Sequence, residues 1–399
     1  MDGKLRISYF NYHYDIDGAA LGAATQVRDL AAALTRLGHR VDLQFRTARP
    51  AGEPSREYLG LKQIRWLRRF GHIPRLISRN LPLMREECRL LDNFEPDVVL
   101  AVSSYCNISA LAAARSRGVP FVLFAEAPME YEYSLFYPHY HRYPRVGRWL
   151  EGINVCQAQE VVCISEVLKG YLMRYGVPAL KLQVIPNGVD HRAFAPGDPD
   201  EGLKERLALQ HRVVIGYIGS FEFFAGVPGF VAMAQAICKA DRRVVFLLVG
   251  DGQARLEIQG RAAALGLTEH FRFIGRVPHD QVPAYLRVMD IVVSPYRHEY
   301  LFYNSPMKLL EYMAMGKATV STALGQIKEV VADGENGMLY EPGNYDSMGA
   351  RLLELVRNPK LRQQLGLKAR KTIERNWTWD LQAARLTRVL QQARSAWSA

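Results

Sequence analysis

Cysteine is scarce: Cys88, Cys106, Cys156, Cys163 and Cys238 are the five in 399 residues, and no two stand in C-x-x-C spacing. An odd, scattered set fits reduced thiols packed in a core rather than a disulfide framework. Long hydrophobic runs are missing too. No stretch reaches the ~20 apolar residues of a membrane span. The longest uncharged one, residues 98–114, is broken by Ser103, Ser104, Asn107 and Ser109. No apolar leader with a cleavage site precedes the first strand pattern, so no secretory signal is expected and the cytoplasm is the expected compartment. Low-complexity tracts and repeats are absent, and 49% hydrophobic with 23% charged residues excludes a disordered or fibrous chain. Acids are the deficient class: 40 Asp and Glu against 51 Lys and Arg leave a net charge of +11. That balance suits an anionic partner, whether nucleic acid, an acidic membrane surface or a phosphorylated small molecule.

What is present is alternation. Short apolar runs at Leu5–Phe10, Val41–Phe45, Asp97–Val102, Phe121–Phe124, Glu160–Ile164 and Leu182–Ile185 are separated by helical patterns. Val27, Leu30, Leu34 and Leu37 form one such pattern, closed by Gly38 as a C′ glycine. A second series follows at Val213–Ile218, Val244–Val249, Phe271–Ile274, Ile291–Ser294, Thr319–Ser321 and Met338–Tyr340. Strand–helix alternation predicts an α/β chain with two doubly wound parallel sheets, Rossmann-like and facing each other across a cleft. The Pro-, Gly- and Asp-rich stretch after Pro186 reads as the connection, with domains at 1–190 and 205–377 and a linker at 191–204. Ligands of such sheets bind at the carboxyl ends of the strands.

Several loops fall at those ends. Gly18 and Gly22 lie in the loop after the first strand, where small residues let a backbone approach an anion at a helix start. A plain tight turn accounts for them equally well. Gly219 and Ser220 end the first strand of the second series, and Gly250 ends the next. The most informative run is Tyr303-Asn304-Ser305-Pro306-Met307-Lys308-Leu309-Leu310-Glu311. Ser305 suits an N-cap and Pro306 the first turn of a helix that ends at Gly316. Lys308 then stands where the helix dipole disfavours a cation, unless an anion binds at the helix start. Glu311, on the same face, suits a vicinal diol such as ribose. Lysine for phosphate and glutamate for ribose describe a nucleotide site; the alternative is a surface Lys308–Glu311 pair worth ~0.5 kcal/mol at most. Glu126, just past a strand, is positioned to orient or deprotonate an acceptor hydroxyl, or is a solvated loop carboxylate. Glu130 and Glu132 could take the same role, and His139 and His141 have no assignable place.

Between Arg56 and Arg89, nine basic residues face three acids, with Trp66 and Phe70 among them. Leu61, Ile64 and Leu67 recur at helical spacing with Arg65, Arg68 and Arg69 between, as in a helix lying on an anionic membrane surface. A solvated helix packed on its own domain is the alternative. No recognition motif accompanies the charge, so nucleic acid is not the expected partner.

These segments, taken in order, make the chain resemble a family 4 retaining glycosyltransferase of the GT-B fold along nearly its whole length. Leu37-Gly38-His39-Arg40-Val41, Val184-Ile185-Pro186-Asn187-Gly188-Val189-Asp190, Gly250-Asp251-Gly252, Phe273-Ile274-Gly275-Arg276-Val277-Pro278-His279, Lys308 to Gly316, and Glu335-Asn336-Gly337-Met338-Leu339 carry the likeness. The resemblance implies a nucleotide-sugar donor, UDP- or GDP-linked, held by the second domain without a bound metal or separate cofactor. Glu311 matches the second glutamate of the family's E-x7-E motif, which holds the ribose. Asn304 to Met307 match the segment whose backbone meets the diphosphate and sugar. Arg276 and Val277 match the segment beside the base, and Gly18 and Gly22 the loop facing the diphosphate. The helix after Trp377-Thr378-Trp379, residues 378–399, is implied to rejoin the first domain. The acceptor would be a saccharide, a lipid-linked sugar or a small molecule, with the protein peripheral on the inner membrane face through the Arg56–Arg89 stretch.

Four positions depart from the pattern. Tyr303 replaces the first glutamate of E-x7-E, giving a subgroup-like Phe302-Tyr303-x-Ser305-Pro306-x-Lys308-x-x-Glu311 run. Ser220 and Ala225 stand where the family places Arg and Lys, and Glu126 where it places a histidine. The expected activity is retaining sugar transfer, with Lys308 and Glu126 as the catalytic candidates. A non-catalytic binding or partner subunit and a sugar-nucleotide epimerase are the alternatives.

Overall fold

A computed structural model describes residues 3–11, 21–45, 72–136, 143–221, 226, 229–297 and 300–398. Two compact units emerge: Met1–Asn187 with Trp379–Ala399, and Gly188–Thr378. Each is built on a six-stranded, all-parallel sheet.

The first unit contains β1 (Arg6–Asn11), β2 (Arg40–Phe45), β3 (Val98–Val102), β4 (Phe121–Ala125), β5 (Glu160–Cys163) and β6 (Leu182–Val184). Their spatial order is β2-β1-β3-β4-β5-β6, so the topology reverses between β1 and β3. Gly38, at φ +90, ends the helix Leu21–Arg36 as its position in the sequence predicts. The terminal helix Trp379–Ser398 packs on that helix. Arg36 donates to Asp380 Oδ1 through Nε at 2.9 Å and Nη2 at 2.6 Å. His39 Nδ1 accepts from the Leu5 amide at 3.0 Å, which leaves Nε2 to donate to Thr387 Oγ1 at 2.9 Å. One imidazole therefore ties β1 to the terminal helix.

The second unit contains β7 (Val213–Ile218), β8 (Val244–Val249), β9 (Phe271–Gly275), β10 (Ile291–Ser294), β11 (Ala318–Thr322) and β12 (Met338–Tyr340). Val213, Ile215, Tyr217, Val244, Phe246 and Leu248 feed one core cluster, while Val214, Ile218, Val245, Leu247 and Val249 feed the other. Both faces are buried, which is why these strands read as unbroken apolar runs rather than alternating ones. The order is β12-β11-β10-β7-β8-β9, with the reversal between β10 and β7.

The stretch 191–204, expected as a linker, is an integral part of this unit. Phe194 is buried in its core. Asp200 accepts from the Leu203 amide at 2.9 Å and so caps the helix Glu201–Arg206. Its Pro, Gly and Asp residues serve turns and a cap, which composition alone does not distinguish from a linker. No helix among the described residues is long and apolar enough to cross a membrane.

Candidate functional site

In a doubly wound sheet the crevice opens where strand order reverses, outside the carboxyl ends. In the second unit that point lies between β7 and β10. The two strands pair only at Ile215↔Ile291 and Gly216↔Val292. Beyond that the side chain of Tyr312, from the helix Met307–Ala314, replaces the missing ladder. Its Oη accepts from the Ile218 amide at 2.7 Å and donates to the Ile218 carbonyl at 2.9 Å. This bracket locks the helix against the strand end. Tyr312→Phe orphans both buried backbone groups, and a loss of about 1–3 kcal/mol in chemical denaturation is expected.

Three glycines shape the floor. Gly219, Gly250 and Gly252 have φ of +153, +128 and +157. A Cβ on Gly250 would lie 1.9 Å from the Gly219 carbonyl oxygen, and one on Gly219 would lie 2.9 Å from Lys308 Nζ. The Gly219 amide donates to Val249 O at 3.0 Å and the Phe221 amide to Asp251 O at 3.0 Å, stitching the two loops together. The missing side chains thus leave room for the lysine head and for close approach of backbone to a ligand.

Lys308 sits over this floor. Its Nζ donates to Tyr217 Oη at 3.0 Å, and Tyr217 Oη donates to Ser220 O at 2.6 Å. The ammonium also lies 4.8 Å from the Tyr217 ring centre and 5.3 Å from that of Tyr296. Burial pushes it down to about 8, against the pull of the Glu311 carboxylate. The side chain is only half-buried and remains open to a ligand.

The helix begins at Met307 with Pro306 as its cap (φ −78, ψ 96), and no side chain caps it. This corrects the expected Ser305 cap. Pro306 is extended, so the Ser305 residue is one position too early; the Pro306 carbonyl accepts from the Leu309 amide at 3.1 Å. The amides of Met307 and Lys308 have no intrahelical acceptor. Gly316, at φ +66, closes the other end, its amide donating to Met313 O at 3.0 Å.

Glu311 is buried, and His279 Nε2 lies 2.9 Å from its Oε1. The Phe194 ring packs beside the imidazole at 5.3 Å between centres. The sequence pattern assigns His279 no role. The Pro278-His279 pair was visible, but nothing in spacing connects it to a glutamate 32 positions on. Tyr303 and Ser305 are buried, Asn304 and Met307 partly so, and Ser220 and Arg276 are exposed. Val277 packs against the core. Ala225 lies outside the described residues.

In the first unit, Gly18, His139, His141 and the stretch 56–71, with Arg65, Arg68 and Arg69, lie outside the described residues. Gly22 falls in the first turn of the helix Leu21–Arg36 rather than in the loop before it. Arg85 and Arg89 are exposed on the helix Asn80–Phe94, whose Glu87 is buried and accepts from Ser109 Oγ at 2.8 Å.

Glu126, directly after β4, is buried and is not a solvated loop carboxylate. Its Oε1 accepts from Gln26 Nε2 at 3.0 Å, while Oε2 has no hydrogen-bond partner among the described residues. Burial, with a smaller push from Glu132, raises the carboxyl to about 8. At neutral pH the group is therefore protonated, and the proton belongs on Oε2 because Oε1 is accepting. It is a donor at this edge, not a ready base. Glu130 is instead held by Arg174 at 3.0 Å and Arg148 at 3.6 Å. Behind them Glu151 accepts from the Met129 amide at 2.9 Å and from Tyr175 Oη at 2.5 Å, fixing the turn that follows Glu126.

The Glu126 shift has a stability consequence. The folded state keeps a proton that the unfolded chain releases near 4.5. Its contribution is full below that pH and declines until about 8, where it levels off. Glu126→Gln should remove this decline, gaining on the order of a few kcal/mol on wild type between pH 5 and 8. Urea midpoints of the two proteins across that range give the comparison.

Two family models match the chain: "Glycosyltransferase Family 4" over residues 21–193 and "Glycosyl transferases group 1" over residues 201–372. A GDP-mannose-dependent alpha-(1-6)-phosphatidylinositol monomannoside mannosyltransferase of Mycolicibacterium smegmatis is 28% identical over 55% of this chain and 58% of its own. An alpha-D-kanosaminyltransferase of Streptomyces kanamyceticus is 24% identical over 55% and 57%. The chain spans about half the length of the curated relatives it matches. Sucrose-phosphate synthase from Thermosynechococcus elongatus superposes with a TM-score of 0.76 at 18% identity, covering 98% of this chain and 100% of that one. The Anabaena protein HepE, solved with UDP, gives 0.69 at 17% identity, covering 97% and 100%. The fold is GT-B.

Proposed function

We propose that this chain, a GT-B protein of the group 1/family 4 glycosyltransferase type, moves a sugar from a nucleotide-sugar donor to an acceptor hydroxyl with retention of anomeric configuration. One observation carries the reading. A lysine with two tyrosine rings beside it, in the first turn of a helix, stands over a glycine floor at the crevice, with a buried glutamate one turn on. A cation at a helix start is unfavourable alone and favourable with an anion between it and the free amides. The donor diphosphate is that anion, and Glu311, held by His279, accepts from the ribose hydroxyls.

The chemistry breaks the bond between the sugar's anomeric carbon and the diphosphate oxygen. Charge accumulates on that oxygen, where Lys308 and the amides of Met307 and Lys308 offset it. The acceptor oxygen bonds to the anomeric carbon on the same face, and its proton passes to the departing diphosphate. No bound metal enters this scheme, because lysine and helix start supply the positive charge. Tyr303 contributes no carboxylate to the donor sugar. Neutral Glu126 donates at the acceptor-side edge instead of removing a proton. A UDP- or GDP-linked donor is proposed: one relative's name specifies GDP-mannose and one solved neighbour holds UDP. A saccharide, lipid-linked or small-molecule acceptor is proposed, met in the cytoplasm or on the inner membrane face. Proton NMR of the product tests the scheme: the new linkage should keep the donor's anomeric configuration, and an inverted linkage refutes it.

A further inference from the structure

The opposite edge of the second sheet, where β7, β10 and β11 begin, holds a cavity of about 780 Å³. Its lining includes Lys204, Arg212, Arg287, Lys317 and Arg362. Two carboxylates, Glu201 and Asp290, face these five cations. Both acids are already engaged. Glu201 Oε1 accepts from Lys204 Nζ at 2.9 Å, and Asp290 Oδ2 from the Val214 amide at 2.8 Å. Asp290 Oδ1 also forms a long ion pair with Arg362 Nη2 at 3.8 Å.

Arg212 and Lys317 are met by carbonyls, which carry no full charge; Arg212 Nη1 donates to Arg242 O at 3.0 Å. Lys317 Nζ donates to Arg287 O at 3.1 Å and Met289 O at 2.8 Å, and an ammonium has a third donor. Arg362 Nη1 donates to Leu355 O at 2.7 Å and Val356 O at 3.2 Å. Arg287 Nε is buried without a hydrogen-bond partner. Burial pushes Lys317 down to about 8; Asp290 opposes this, while Arg287 and Lys204 add to it. A fold gains nothing by crowding cations in this way and leaving one donor orphaned. An anion in the cavity offsets the crowding, and the volume is that of a small-molecule site.

We propose that this cavity binds a small polyanion bearing two or more phosphoryl groups, at a site distinct from the glycine-floored crevice on the opposite edge of the same sheet. Arg287, Lys317, Lys204 and Arg362 surround the charge. Nothing in this assignment depends on the sugar-transfer reading.

Calorimetric titration of pyrophosphate into the full chain at low salt is the test. Arg287→Gln and Lys204→Gln, each made in the Lys308→Met chain so that the crevice is silenced, should weaken binding by about tenfold, as for a charge-assisted contact, while Lys308→Met alone should leave one binding event in place. Among the described residues Lys204 pairs only with a surface glutamate in the same helix, so its replacement keeps the fold and serves if Arg287→Gln does not. Equal affinity across the Lys308→Met chain and both double variants overturns the proposal, as does binding abolished by Lys308→Met alone.

Discussion

Lys308→Met should cut turnover by about 10²–10³-fold, the cost of removing one preorganised donor from a developing charge, without lowering the melting temperature. The two halves of this expectation have one cause. The ammonium is packed between tyrosine rings and depressed to about 8, so in the empty protein it costs stability. Methionine has similar length and no charge to desolvate. Tyr217 Oη still donates to Ser220 O, so no buried group is orphaned. The folded pKa lies below that of the unfolded chain, so the cost is constant below about 8 and disappears as pH rises toward 10.5. Wild type should therefore gain on the variant in stability above pH 8 while losing catalysis there. Thermal denaturation with steady-state rates at pH 7 and 9 checks both; a variant that is equally active, or destabilised at pH 7, contradicts the role.

Gly250→Ala should cost about 3 kcal/mol or more and abolish nucleotide binding. The residue combines φ +128 with a Cβ position 1.9 Å from the Gly219 carbonyl oxygen, which is backbone and cannot rotate away. Gly266 supplies the control. It has φ +68 and open space around its Cβ position, so Gly266→Ala measures left-handed strain alone, about 1–2 kcal/mol. In melting temperature the first should fall by roughly 6–12 °C. Equal shifts for the two variants contradict a tightly knit glycine floor.

The strands were legible because parallel strands buried on both faces are continuous apolar runs. Among the described strands β3, β4, β7 and β8 are fully buried runs of this kind, whereas β2 and β12 are short of Val, Ile and Phe. Lys308 and Glu311 were legible as a linear motif opened by a proline, and Gly219 and Gly250 as glycines at strand ends. What could not be read is whatever depends on burial or on distant pairing. Glu126 gives no hint in sequence that it is enclosed and holds its proton. His279 meets Glu311 across 32 positions of chain, a tertiary pairing that no local spacing records. The cap moved from Ser305 to Pro306 because an extended proline can supply the first carbonyl itself. The stretch 191–204 resembled a linker because turns and caps use the same residues as flexible chain, yet its Phe194 supports His279.

The central claim is that the second unit's crevice holds a nucleoside diphosphate. A thermal-shift panel of UDP, GDP, ADP and CMP measures this directly. One diphosphate at 100 times its dissociation constant should stabilise the protein by ~2.7 kcal/mol, and Glu311→Ala should remove most of that gain. No stabilisation by any of the four, or stabilisation unchanged in Glu311→Ala, would contradict the account.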